Sequence, residues 1–204
     1  MTTERELVLH HLVIKGLADP EALARCTGLA PGDVSAALAI LVAGDLVVER
    51  SGRLSGFAPT PAGREANQDS LAADDLRRRR VELADWYGRF EEVNAQMKVL
   101  FTAWQLVDGA EGQVLNDHSD LAYDAAIRDR LGILHQTALT QLAEVGDARL
   151  DRYAARLTHA EGAFQGGDDR RFTAPLSESY HDIWMELHHD LLASFDRQRT
   201  AADS

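Results

Sequence analysis

Chemically capable side chains concentrate in the segment NDHSDLAYD, residues 116–124. It holds three carboxylates, one amide, one imidazole and one phenol within nine residues. Such a set is compatible with a helix cap, a metal site or a ligand pocket, because each of these needs polar acceptors close together. The elements on either side of the segment must decide between these uses.

Further polar and aromatic side chains recur downstream at helical spacing. Asp124, Arg128, Leu131 and His135 follow one another in steps of three or four along one helical stripe. Aromatic walls with a few convergent polar groups form small-molecule sites, which favours a ligand pocket. The alternative is that these groups satisfy one another at the joint of a helical bundle. The candidate ligand-binding residues are Trp104, Asn116, His118, Asp120, Tyr123, Asp124, His135, Tyr180, His181 and Trp184.

Signatures of catalysis and of resident cofactors are weak. His118 and Asp120, with His135 or His181, are an alternative zinc set, but no spacing holds them within reach of each other. The chain has no Gly-x-Ser-x-Gly elbow and no Gly-rich phosphate loop. We therefore expect no catalytic residues, no bound metal and no cofactor.

Helices must position these residues. Residues 70–107 form one long helical pattern, and Asn94 lies on its apolar seam. A sustained seven-residue period favours helix-on-helix packing, so we expect this helix to pack inside its domain and against a second subunit, with Asn94 fixing the register. Large side chains recur every seven residues at Leu76, Leu83, Phe90, Met97 and Trp104.

A polar connection is expected at residues 109–120, and three more helices follow it. The first of these begins after Asp117 or Ser119 as its N-cap. The others cover residues 146–164 and 175–199, so that residues 67–204 form an antiparallel helical bundle. The run RRRR at residues 77–80 points in four directions and has acidic neighbours, which indicates an ion-paired turn rather than a nucleic-acid patch.

The first 66 residues have a different pattern. Apolar spacing predicts two short helices, the second starting at Pro20 with Asp19 as its N-cap and Gly28 as its stop. A third helix is predicted at Leu29–Ala43, followed by a strand in GDLVVER, a tight loop, and a short returning strand FAP before TPAGRE opens the next helix. Cys26, the only cysteine, lies on an apolar side, where it acts as a small hydrophobe.

Three helices followed by a hairpin make this stretch resemble the DNA-reading winged helix-turn-helix domain of MarR-type repressors. The resemblance implies that the third helix enters the major groove and that the hairpin is the wing. The outward positions of that helix carry no Arg, Lys, Asn or Gln, the usual partners of base edges, so any binding must rely on phosphate contacts. The candidate DNA-binding residues are Arg25, Ser35, Arg50, Arg53 and Arg64.

A second resemblance involves LNDHSDLAYDAA and SYHDIWMELHHDLL. These segments look like a helical module found behind a winged helix in bacterial proteins, some of them joined to phosphoenolpyruvate-utilising, pyruvate phosphate dikinase-like chains. The resemblance implies a sensing or protein-docking unit. The phosphohistidine and swivelling-domain motifs of those enzymes are absent, so the resemblance does not imply their activity.

Composition separates the two regions. The net charge is −12, of which −2 falls in residues 1–66 and −10 in residues 67–204. We therefore predict two domains with a boundary at residues 66 and 67. The N-terminus lacks the layout of a signal peptide, no apolar run is long enough to cross a bilayer, and a single cysteine forms no disulfide framework, so we expect a cytoplasmic location and no membrane partner.

Together these patterns predict a mostly α protein, with a winged helix-turn-helix domain and a C-terminal helical bundle. The function that we expect is a dimeric, DNA-binding transcriptional regulator that responds to a small-molecule effector. The alternative is an accessory or ligand-sensing module that does not bind DNA and docks on a phosphoenolpyruvate-utilising or other metabolic enzyme.

Overall fold

The computed structural model describes residues 3–109 and 112–197. They are mostly helical and include two small antiparallel β-hairpins. The chain divides into two compact units, Met1–Val81 together with His189–Ser204, and Glu82–His188. The division therefore falls after Val81, not at the predicted position after residue 66, and the C-terminal segment belongs to the first unit.

The first unit begins with three helices. The N-cap of α1 is Thr3, and the predicted cap Asp19 accepts a hydrogen bond from the backbone N–H of Ala22 at the start of α2. The predicted stop at Gly28 is also confirmed, because that residue adopts the left-handed conformation. The elements are α1 (Glu4–Lys15), α2 (Pro20–Thr27), α3 (Pro31–Ala43), β1 (Val47–Arg50), β2 (Gly56–Pro59), α4 (Pro61–Ala72) and α5 (Asp75–Arg78).

The predicted hairpin is confirmed as β1 and β2, which pair antiparallel from Val47 opposite Pro59 to Arg50 opposite Gly56. A single antiparallel bridge adds Ala18, between α1 and α2, to the outer edge of β2 at Phe57. Glycine is required where α4 meets the hairpin, because a Cβ on Gly63 would lie 2.0 Å from the carbonyl oxygen of Leu46. The hydrophobic core under these elements includes Val8, Leu12, Leu23, Val34, Leu38, Leu41 and Val47, and Cys26 is buried as well.

Polar contacts, the one between His10 and Asp190 buried, attach the C-terminal segment to this first unit. His10 on α1 places Nε2 3.0 Å from Oδ1 of Asp190 and Nδ1 3.2 Å from Oδ1 of Asn67 on α4. Arg77 pairs with Asp196 at 2.8 Å. These contacts join residues far apart in the sequence, which explains why a boundary drawn from composition missed the segment.

The prediction of one helix over residues 70–107 is wrong. Helix α4 ends at Ala72, and Asp74 then caps the short α5 by accepting from the N–H groups of Leu76 and Arg77. The long helix proper, α6, covers Ala84–Gln105. A capping aspartate competes with continued helix because its side chain replaces the missing carbonyl partners.

The seven-residue rows instead record packing within the chain. Phe90 and Met97 are 1% and 0% exposed, and Leu76, Leu83 and Trp104 are buried too. Asn94, expected on a seam between subunits, is also buried within the chain. These side chains therefore present no face to a second subunit. The prediction for RRRR is confirmed in part, since Arg78 and Arg79 both pair with Asp75.

The second unit contains α6, a second hairpin, α7, α8, α9 and the part of α10 up to His188, and the rest of α10 belongs to the first unit. The hairpin was not predicted, and it replaces part of the expected polar connection. Helix α6 packs against α7, and α7 packs against α8. The further elements are β3 (Leu106–Gly109), β4 (Gly112–Leu115), α7 (Leu121–Val145), α8 (Ala148–Gln165), α9 (Arg170–Thr173) and α10 (Tyr180–Ser194).

No single helix in the described part of the chain combines the length and the hydropathy that a bilayer crossing requires. Helices α2 and α3 meet that test only when taken together across a bend of 112°.

Candidate functional site

The opening segment forms a closed hydrogen-bond network around Asn116. Its side-chain amide donates to Oδ1 of Asp124 at 3.1 Å and to the carbonyl oxygen of Trp104 at 3.2 Å, while its Oδ1 accepts from the backbone N–H of His118. Asp120, not Asp117 or Ser119, is the N-cap of α7, and it accepts from the N–H groups of Ala122 and Tyr123. The segment therefore ties the end of α6 to the start of α7.

His118 is held in this network by its ring. Nδ1 lies 3.0 Å from Oδ2 of the buried Asp124, and the ring packs on the indole of Trp104 with 4.3 Å between centroids. The backbone has φ of 59°, in the left-handed region that a non-glycine residue rarely adopts. The side chain is 37% exposed, so His118 covers Trp104 from the solvent side.

Arg128 lies over Trp104 and Phe164, with the guanidinium carbon 5.5 Å and 4.0 Å from the two ring centroids. It donates to the carbonyl oxygen of Phe164 and to the carboxylate of Asp169. The predicted stripe of Asp124, Arg128 and His135 is therefore divided, because each of these side chains has a different set of partners.

His135 and Tyr180 meet inside the bundle. Nδ1 of His135 lies 3.3 Å from the Tyr180 hydroxyl, and Nε2 lies 3.4 Å from the hydroxyl oxygen of Thr158. Burial lowers the pKa of His135, and the nearby carboxylate of Glu161 opposes this shift. Burial, with a smaller contribution from Glu161, raises the pKa of Tyr180. Both groups are therefore held neutral by the core around them.

Trp184 has a polar partner on α6. Its indole N–H donates to Oδ1 of Asn94 at 2.9 Å, and the amide nitrogen of Asn94 lies 3.4 Å from Nε2 of His188. His181, which is partly buried, packs edge-on against Phe101 with 4.8 Å between centroids, and burial lowers its pKa against the opposing effect of Asp182.

Ring contacts connect these groups into one aromatic core. Centroids lie 5.6 Å apart for Trp104 and Phe172, 6.5 Å for Phe172 and Tyr180, and 6.1 Å for Tyr180 and Trp184. Trp104, Tyr180 and Trp184 are at most 4% exposed. The predicted aromatic walls thus pack on each other, and the Tyr180 hydroxyl and the Trp184 indole N–H have partners within the second unit.

An open groove of about 750 Å³ lies beside this core, between α6, the second hairpin and the segment before α7. Three predicted residues line it, namely Asn116, Asp120 and Tyr123, and the Tyr123 hydroxyl donates to the carbonyl oxygen of Ala103 at 2.9 Å. The other lining residues were not predicted; they are Lys98, Val99, Thr102, Ala103, Leu106, Val107, Asp108, Gln113, Asp117 and Ser119.

One signal in the sequence could have indicated this groove. Gly109 and Gly112 flank two residues between the apolar pairs Leu106–Val107 and Val114–Leu115, which is the pattern of a tight hairpin. The polar character of the whole segment concealed that pattern.

Metal binding receives no geometric support in the part of the chain that is described, where no three His, Cys, Asp or Glu side chains form a metal-binding group. Two Glu-x-x-His pairs end at His181 and His189. Their carboxylates belong to Glu178 and Glu186, and both pair with Arg156 at 2.9 Å. The carboxylates that a metal would need are therefore already ion-paired with the Arg156 guanidinium.

The residues predicted to contact DNA are distributed over the first unit. Arg25 lies on α2, Arg50 at the end of β1, Arg53 in the turn of the hairpin and Arg64 on α4, and all four are exposed. None of these four arginines forms an ion pair with residues 3–109 or 112–197. Ser35, on α3, donates its hydroxyl to the carbonyl oxygen of Pro31 at 2.9 Å.

The outward face of α3 is apolar and acidic. Ile40 is 51% exposed and Val42 is 38% exposed, and Ala36 and Ala39 are exposed beside them. The charged side chain on this helix is Asp33.

No protein-family model, curated protein or solved structure matches the chain significantly.

Proposed function

We propose that this chain is an accessory protein that docks on a partner protein through α3. The observation that carries this proposal is the outward face of α3, where Ile40 and Val42 are exposed. Arg, Lys, Asn and Gln are the usual side chains that read bases in the major groove, and α3 has none of them. Asp33 would repel phosphates, and the Ser35 hydroxyl already bonds to its own helix.

An exposed apolar helix face suits a protein partner because its burial removes apolar surface from water. The resemblance of the helical module to segments beside phosphoenolpyruvate-utilising proteins supports a metabolic enzyme as that partner. Effector binding by the second unit and dimerisation remain predictions. If a homodimer forms, it must use surfaces other than the buried seven-residue rows of α5 and α6.

A specific observation also favours DNA binding as a second candidate. The isolated bridge between Ala18 and Phe57 adds a backbone segment beside the β1–β2 hairpin, which is compatible with a winged helix-turn-helix arrangement. In that arrangement the hairpin would be the wing; Arg50 and Arg53 lie on it and form no ion pair with the described residues, so their guanidinium groups can reach phosphates. Such binding would depend steeply on salt and discriminate little between sequences.

The two candidates can be separated by fluorescence anisotropy with labelled duplexes from upstream of the gene. Docking predicts no binding below micromolar concentration even at about 50 mM salt, where phosphate-driven binding is strong. If a duplex binds more tightly, and Arg53→Ala weakens binding equally for all duplexes, the DNA-binding candidate replaces the docking proposal.

Docking itself can be tested in cells with a photo-cross-linking amino acid at Ala39. The matched control is the same amino acid at Gln68, which is exposed on α4. A discrete protein adduct from position 39 and none from position 68 is the expected result. Equal adduct patterns from both positions would refute docking through α3.

A further inference from the structure

Part of the lining of the groove in the second unit is apolar. Val99, on α6, lines the groove and is 65% exposed, and Val107, on β3, lines it from the hairpin. Ala103 and Leu106 continue the apolar lining. A contiguous exposed apolar surface of this kind marks an interaction site.

The charges around the groove are mostly negative. Asp108, Asp117 and Asp120 line it, against one cation, Lys98. Hydrogen bonds from the side chain and backbone of Ser119 lower the pKa of Asp117, which keeps that carboxylate ionised. Residues 82–188 carry nine Lys and Arg against nineteen Asp and Glu, so the surrounding field attracts cations as well.

The shape of the groove favours an extended chain over a compact small molecule. Small-molecule sites enclose most of the ligand surface, whereas this groove is open along one side. Within the described residues, β3 and β4 pair only with each other, so each strand has one edge that no other described strand pairs with. Strand edges add extended peptides through main-chain hydrogen bonds.

We propose that this groove binds an extended segment of a partner protein in which lysine or arginine alternates with aliphatic residues. Side chains of an extended segment alternate between two faces. The cationic set faces Asp108, Asp117 and Asp120, and the aliphatic set covers Val99 and Leu106. This surface shares no residue with the α3 face, so the proposal does not depend on docking through α3.

The test uses the full chain and a fluorescein-labelled ten-residue peptide of alternating Lys and Val. Anisotropy should show saturable binding that weakens as salt increases. A peptide of alternating Glu and Val should not bind. A peptide with the same five Lys and five Val in two blocks should bind at least about three-fold more weakly, because only one part of it can match both surfaces at once. Equal affinity for the alternating and block peptides would overturn the proposal.

Variants locate the binding. Asp108→Asn and Asp117→Asn should each weaken the alternating peptide about two- to five-fold, as expected for one exposed charge pair. Val99→Ser should weaken it as well. The matched controls are Asp129→Asn and Ile133→Ser on α7, which are exposed but do not line the groove. These controls should bind as the natural chain does.

Two further outcomes, besides equal affinity for the two peptides, would contradict the proposal. If the groove variants bind the alternating peptide as tightly as the controls do, attraction to the acidic surface as a whole explains the binding. If spermine displaces the peptide and its own affinity falls in the same variants, the groove takes a free polyamine instead. Circular dichroism of every variant checks that lost binding does not reflect lost folding.

Discussion

The contact between Asn94 and Trp184 gives a prediction whose size can be worked out from the structure. Asn94→Leu keeps the number and branching of the side-chain heavy atoms but removes the oxygen that accepts from the Trp184 indole at 2.9 Å. Trp184 is 0% exposed, so its N–H would be left buried without that acceptor. A buried donor that is left without an acceptor lowers the free energy of unfolding by about 1–3 kcal/mol. For a chain of this length, each kcal/mol lowers Tm by about 2–4 °C.

A double-mutant cycle isolates this contact. Trp184→Phe removes the donor and some packing, so Asn94→Leu should cost about 1–2 kcal/mol less in that background than in the natural chain. The assay is urea unfolding followed by circular dichroism. The control cycle pairs Asn94→Leu with Trp86→Phe, because the Trp86 indole donates to a different acceptor, the carbonyl oxygen of Gln141. Additivity within about 0.5 kcal/mol in the first cycle would refute the assignment.

Three further predictions concern the stability of two glycine variants, the pH dependence of stability, and the molecular mass of Asn94→Leu. Gly63→Ala should destabilise the first unit by about 2–4 kcal/mol, since the new Cβ would overlap the Leu46 carbonyl, whereas Gly162→Ala, which meets nothing within 4 Å, should stabilise α8 by about 0.5–1 kcal/mol; thermal melts decide both. Because burial lowers the pKa of His135, the unfolded chain binds that proton more tightly; the stability from the neutral ring is full above about pH 6.5 and decreases as the pH falls below it. His135→Gln should flatten this decline in urea midpoints between pH 8 and 5.5, and an equal decline in this variant and in the exposed-site control His159→Gln would contradict the assignment. Because Asn94 is buried within the chain, light scattering should show the same molecular mass for Asn94→Leu as for the natural chain. A smaller mass for the variant would instead indicate that Asn94 lies at a subunit interface.

Local signals in the sequence were sufficient for α2 and for the first hairpin. Asp19, Pro20 and Gly28 set the bounds of α2 through backbone groups a few residues away, and the hairpin after α3 followed from its turn residues. Caps and tight turns are satisfied within the segment that carries them, which is why they can be read without the fold. The same reasoning missed the break at Asp74, because the apolar rows continue through it and a helical period alone does not show where the backbone turns.

The candidate site was readable only in part. The sequence concentrated polar groups at residues 116–124, and the structure binds Asn116, His118 and Asp124 into one network there. His135 contacts Tyr180, 45 residues away along the chain, and Trp184 contacts Asn94, 90 residues away. Because these partners are so distant in the sequence, the sequence could not show that the two side chains contact protein groups and not a ligand.

The sequence by itself determined which residues form most helices, where the first hairpin lies, and that acidity and aromatic rings gather after residue 66. Only the tertiary structure decided that the seven-residue rows are covered by the chain itself, that the segment from His189 belongs to the first unit through His10 and Asp190, and that an acidic groove opens beside α6. Propensity and capping act between neighbours, whereas burial, pairing and grooves depend on contacts between residues that the sequence separates.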